Sequence, residues 1–125
     1  MTKRDIENDN DIYEVMSAFY DKLLNDDSIG YLFTNVAKLN LQTHLPHLVH
    51  FWSSILFDTN DYAKNVMKIH MDLHQKSPLM DSHFKTWITY FKQTVDELFE
   101  GEISQKMKDR ASGIAYIMNK KVSAL

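Results

Sequence analysis

The sequence predicts a single all-α domain of 125 residues, and three observations carry that reading. Three Gly and two Pro are too few for a turn-rich β fold. No segment alternates apolar and polar residues for long enough to make a strand. Apolar residues recur instead at helical spacing in four long stretches and a shorter fifth.

The first stretch covers about 11–25, with Ile12, Val15, Met16, Phe19, Tyr20, Leu23 and Leu24 on one face. Asp9 to Asp11 are candidate caps and place acidic charge at its start. Asn25-Asp26-Asp27 closes it, and Ser28 to Phe33 reads as a short turn carrying large apolar residues. The second helix covers about 42–57, with Leu41, His44, Leu45, Leu48, Phe51, Trp52, Ile55 and Leu56 as its stripe. Pro46 fits if it lies in the first turn, where no hydrogen bond is lost. A polar break at 58–61, a short helix at about 64–71 and a loop ending in Ser77-Pro78 follow. The fourth helix covers about 81–99, presents Phe84, Trp87, Ile88, Phe91, Val95, Leu98 and Phe99, and ends before Gly101. The last covers about 102–121, with Ile103, Met107, Ala111, Ile114, Ala115, Met118 and Val122 inward. Residues 1–10 read as a loosely ordered, polar N-terminal extension.

Composition excludes several function classes. Without cysteine there is no disulfide, thiolate metal site or Cys nucleophile, which fits a reducing cytoplasm. The polar start has no apolar core of a secretory signal, and no apolar run approaches a membrane span. The formal net charge is −3 with both signs interspersed, so no basic stripe points to nucleic acid.

Histidine placement is the informative feature. With His44 as zero on a helix, Leu48 falls at about +40°, Phe51 at about −20° and Ile55 at about +20°. His44 thus stands in the middle of an apolar stripe, His47 at its edge and His50 outside it. His70 is likewise set among apolar residues at helical spacing, Val66, Met67 and Leu73, and Asp72 or a carbonyl is placed to hold its second nitrogen. Each alone is consistent with a core imidazole bonded to a carbonyl. Two inward histidines on separate helices, with Phe33, Phe51, Trp52 and Met67 as walls, leave room for a flat cofactor between them. Tyr20 and Trp87 lie on inward stripes too, and their polar tips need partners. His47, His50, His74 and His83 read as solvated or capping residues.

These positions together resemble the third group of truncated haemoglobins. The resemblance rests on Phe19-Tyr20, Ile29-Gly30, Phe33, His44-Leu45-Pro46, Phe51-Trp52, Tyr62, His70, His83-Phe84, Trp87, Thr94-Val95-Asp96, Phe99-Glu100-Gly101 and Arg110-Ala111. It spans about residues 10–120 and departs at Lys64, where members often carry Gly. It implies a two-over-two globin fold around haem b (iron protoporphyrin IX). It further implies His70 as the axial iron ligand, Tyr20, His44 and Trp87 as the distal polar residues, and Phe33, Leu48, Phe51, Trp52, Met67 and Phe84 as cofactor contacts.

The expected function is binding of dioxygen, carbon monoxide, nitric oxide or a similar small ligand at a five-coordinate haem iron, with slow release from a polar pocket. A haem enzyme for nitric oxide or peroxide, served by a reductase, is the alternative. A non-haem metal protein using His44, His47 and His50 or His70 and His74 is a further one. Against the latter, the 44–50 histidines spread over about 120° of helix surface, and no Glu-x-x-His motif is present.

Overall fold

A computed structural model describes residues 3–36, 40–57 and 79–123, and all that follows concerns these. They form α1 (Asp9–Leu24), α2 (Asp27–Tyr31), a π-helical turn (Leu32–Val36), α3 (Leu41–Leu56), α4 (Asp81–Leu98) and α5 (Glu102–Ser123). Among the described residues there is no strand, and no helix is long and apolar enough to cross a membrane. The expected short helix at 64–71 lies outside the described residues, together with Met67, His70 and His74.

The four long helices follow from their apolar spacing. The most extensive contacts join α4 to α5 and α1 to α3, and α1 against α4 links the two pairs. Where they meet, the fully buried Phe19 of α1 and Phe91 of α4 stand edge to face, their centroids 5.1 Å apart. Trp52 of α3 packs on Phe91 at 5.2 Å. Edge-to-face and tilted ring pairs of this kind add roughly 0.5–1.5 kcal/mol each beyond the area they bury.

Several local features differ from the sequence reading. The N-cap of α1 is Asn8, whose Oδ1 accepts from the Asp11 N–H at 3.0 Å. Asp11 is instead buried and held by a two-pronged Arg4 guanidinium and by the Glu7 N–H. Pro46 lies in the second turn of α3, not the first: Asn40 caps that helix through the Gln42 N–H at 3.0 Å, and Pro46 sits within it. With no N–H of its own, Pro46 leaves the Gln42 carbonyl without its regular helical donor. The segment at 28–33 is not a plain turn but α2 running into the π turn, capped by Asp26 through the Ser28 N–H at 2.9 Å. Gly30 permits this, because a Cβ there would lie 3.0 Å from the carbonyl oxygens of Leu23 and Leu24.

The N-terminal segment is anchored rather than loose. Ile6 is buried, and the Asp5 carboxylate accepts from the Ile103 and Ser104 N–H groups, each at 2.8 Å, so it caps α5. Asp5 reaches that position over Gly101, whose φ of +149° and lack of a Cβ leave the space. Arg4 also lies over the Phe99 ring at 5.2 Å.

Candidate functional site: a buried tyrosine–histidine pair and its aromatic frame

The site begins on α1. Its core stripe carries Met16, Phe19, Tyr20 and Leu23 inward, so the Tyr20 phenol is buried among apolar side chains. Its hydroxyl lies 3.0 Å from Nε2 of His44, which α3 presents from the facing side. Burial pushes the Tyr20 phenol well above its ordinary value, so it stays protonated and able to donate. The imidazole donates to the phenol when Nε2 carries the proton, and the phenol donates when it does not. In the first case the phenol proton is left for a ligand.

Helix α3 has two inward rows. Leu45, Trp52 and Leu56 are buried, and they form its packing face. His44, Leu48, Phe51 and Ile55 form an adjoining half-buried row. The rows are about 90° apart by helix geometry, so the second flanks the packing face. Trp52 therefore differs in setting from the other expected cofactor contacts. It lies in the helix core, stacked on Phe51 at 5.5 Å with 7° between the rings and tilted by 35° against Phe91 from the other helix pair.

The π turn after α2 brings Phe33 against Tyr20, edge to face at 5.5 Å and 81°. The His44 ring meets Tyr20 at 5.5 Å and 84°. From α4, Trp87 reaches the same region through Phe19, 5.6 Å away, and stacks on Phe91 one turn along its own helix. Trp87 is half-buried, and among the described residues its indole N–H has no hydrogen-bond partner. Phe84 is buried one turn earlier. Phe33 and His44 thus each touch Tyr20 directly, Trp87 joins them through Phe19, and Leu48 and Phe51 continue the His44 row.

The residues fit a flat, apolar cofactor with a polar ligand. A half-buried row of Leu48, Phe51 and Ile55 offers apolar surface, and the tips of Tyr20, His44 and Trp87 supply the few polar groups. His47 and His50 are exposed, and no three His, Cys, Asp or Glu side chains gather as a metal site among the described residues.

The reading of His83 as solvated or capping caught half of its role. Its Nδ1 accepts from the Met80 N–H at 2.9 Å, and its Nε2 lies 3.2 Å from the Tyr31 hydroxyl of α2. The signal was its place three residues after the N-cap residue Met80, where Glu or Gln closes a capping box. Nothing local in the sequence pointed to Tyr31.

No protein-family model matches the chain. It is 26% identical over 111 residues to a curated protein, group 3 truncated hemoglobin ctb of Campylobacter jejuni, covering 86% of this chain and 85% of that one. The crystal structure of group III truncated hemoglobin from Campylobacter jejuni superposes with a TM-score of 0.83 at 24% identity. That superposition covers 97% of this chain and 95% of the other. Both comparisons bear out the resemblance read from the sequence.

Proposed function

With the fold of a group III truncated haemoglobin as premise, we propose that this chain binds haem b through His70 and holds dioxygen or a similar small ligand in the pocket of Tyr20, His44 and Trp87. The observation that carries the proposal is the buried Tyr20 hydroxyl 3.0 Å from His44, framed by Phe33 and flanked by the half-buried row of α3.

When bound, haem would supply an iron able to take up a diatomic ligand. His70 is the residue proposed to hold it from the proximal side. Leu48, Phe51, Phe33, Phe84 and Met67 are the proposed apolar contacts, and Trp52 backs Phe51 from the core. Tyr20 and Trp87 are proposed as donors to the polarised end of the ligand. Two donors in a pocket poor in water, each worth about 1–1.5 kcal/mol net, slow release by about one to two orders of magnitude. Slow release suits retention or chemistry on the ligand better than delivery. A reducing cytoplasm, with a reductase keeping the iron ferrous, is the setting this reading implies.

The test is uptake of hemin by the purified protein, followed by its absorption spectrum. A Soret band near ~410 nm and a five-coordinate ferrous spectrum are expected, both lost in His70→Ala. A chain that stays colourless with hemin, or a His70→Ala variant that keeps the ferrous spectrum with no new ligand, overturns the proposal.

A further inference from the structure

Helix α4 carries polar groups along one stripe. His83, Trp87, Tyr90 and Thr94 fall within about 60° of one another on the helix. Three of the four are tied to the α1–α2 corner. His83 meets Tyr31 of α2 at 3.2 Å. The Tyr90 hydroxyl donates to Asp26, the cap of α2, at 2.6 Å. Lys22 of α1 donates to Thr94 Oγ1 at 3.1 Å. Trp87 stands between the first tie and the second, and its indole N–H is the one group of the stripe without a hydrogen bond among the described residues.

The first tie has a defined polarity. Met80, the residue before α4, has an exposed thioether side chain that gives no cap hydrogen bond. The Met80 N–H donates to Nδ1 of His83 at 2.9 Å. A nitrogen that accepts carries no proton, so in the neutral ring the proton is on Nε2 and is donated toward Tyr31. The same ring therefore closes the first turn of α4 and joins that turn to α2.

We propose that His83, in its neutral Nε2–H form, is a positioning residue that fixes the Trp87 indole one turn along α4, and that protonation of His83 loosens it. The inference deepens the proposed function, on which the ligand-donating role of Trp87 rests. A proton added at Nδ1 faces the Met80 N–H, so the ring has to turn, and its contact with Tyr31 turns with it. Burial already holds this imidazole below its ordinary value, with the Ser28 backbone opposing, so the neutral form is the resident one at neutral pH. Among the described residues the titratable group hydrogen-bonded to it is Tyr31 of α2, and Asp81 and Lys85 stand two residues before and after it on its own helix, turned away from it. Asp81 is engaged by Lys85 at 3.0 Å and by Asn119 of α5 at 2.7 Å.

The experiment follows the indole N–H resonance of Trp87, and its exchange with solvent, from pH 7.5 to 5. The chain has two Trp, so the signal is assigned by its loss in Trp87→Phe. Expected is a shift with faster exchange as the pH falls through a midpoint below 6.5, the ordinary histidine value, and its absence in His83→Gln. Gln at this position still accepts the Met80 N–H, as in a capping box, but does not titrate. In the haem-loaded protein, release of carbon monoxide is expected to quicken about fivefold over the same range, and to stay flat in His83→Gln. An indole signal that ignores the titration, or that moves alike in His83→Gln, overturns the inference. The resonance is read with or without haem, so failure to bind hemin counts against the proposed function while the indole signal still decides this one.

Discussion

Tyr20 meets His44 at 3.0 Å and Tyr31 meets His83 at 3.2 Å, so the same two chemical groups come together twice in different surroundings. His83 has its Nδ1 held by a backbone N–H, which fixes the tautomer and makes the pair a tie between helices. In the other pair the phenol is buried, edge to face with Phe19 and Phe33, and meets a histidine on the half-buried row of α3. An imidazole pinned at one nitrogen transmits position. A buried phenol beside apolar surface, with its proton retained, is equipped to donate to whatever occupies that surface. The difference is one of wiring, and each pair can be broken without touching the other.

The largest expected effect is on ligand release. Replacing both donors, Tyr20→Phe with Trp87→Phe, is expected to speed dioxygen dissociation by about 100-fold, and Tyr20→Phe alone by about tenfold. Stopped-flow displacement by carbon monoxide measures both. Stability should change by about 1 kcal/mol in Tyr20→Phe, because the ring still packs and a single hydrogen bond to the half-buried His44 is lost. Unchanged release in Tyr20→Phe removes the pocket from the comparison and leaves two structural ties.

Next comes the helix end. His83→Ala removes the acceptor for the Met80 N–H and the donor to Tyr31, an expected loss of about 1–2 kcal/mol in urea unfolding. His83→Gln should recover roughly half, since only the cap is restored. Equal losses in the two variants would mean that the tie to α2, not the cap, carries the stability.

These pairs also mark what was legible in the sequence. The inward placement of Tyr20 and of His44 was readable, because both lie on apolar stripes of period 3.6, while their meeting in one pocket was implied only by the family resemblance. The four long helices were readable for the same reason. What the sequence hid was non-local or short. Asp5 caps a helix 98 residues away, and Ile6 is one apolar residue in a polar run, so residues 1–10 looked loose. Helix α2 has five residues, too few to show a period. Asn8 and Asp9 to Asp11 are all good caps, and local chemistry did not tell which one starts α1. Trp52 shared the stripe of His44 in projection, yet a rotation of about 80° puts it in the core instead of on the half-buried row.

A smaller effect separates the pairs by pH. Above 6.5 the His83 imidazole is neutral in both folded and unfolded chains, and its contribution is fully present. As the pH falls below that value the unfolded chain takes up the proton first, so stability drops until the folded imidazole titrates and then levels off. The carboxylates of Asp5 and Asp11 are held below 3.8 by their bonds to Ser104 and to Arg4 respectively, so their contributions are lost only at still lower pH. Thermal unfolding from pH 7 to 5 should fall less steeply in His83→Gln than in the wild type, the difference isolating this one ring from the other histidines. Parallel curves would show that His83 does not titrate differently on folding.

The smallest effect is the most discriminating. Tyr31→Phe keeps the ring, the cap of α4 and the titrating imidazole, and removes only the oxygen that accepts from Nε2 of His83. The expected cost is about 0.5–1 kcal/mol, with ligand release changed by less than about threefold and its pH dependence kept. Asp26 still receives Tyr90 two turns along α4, so α2 stays seated and Trp87 keeps one of its two flanking ties. If Tyr31→Phe instead speeds release as much as Tyr20→Phe does, the second pair belongs to the pocket itself, and the distinction between a donor and a tie dissolves.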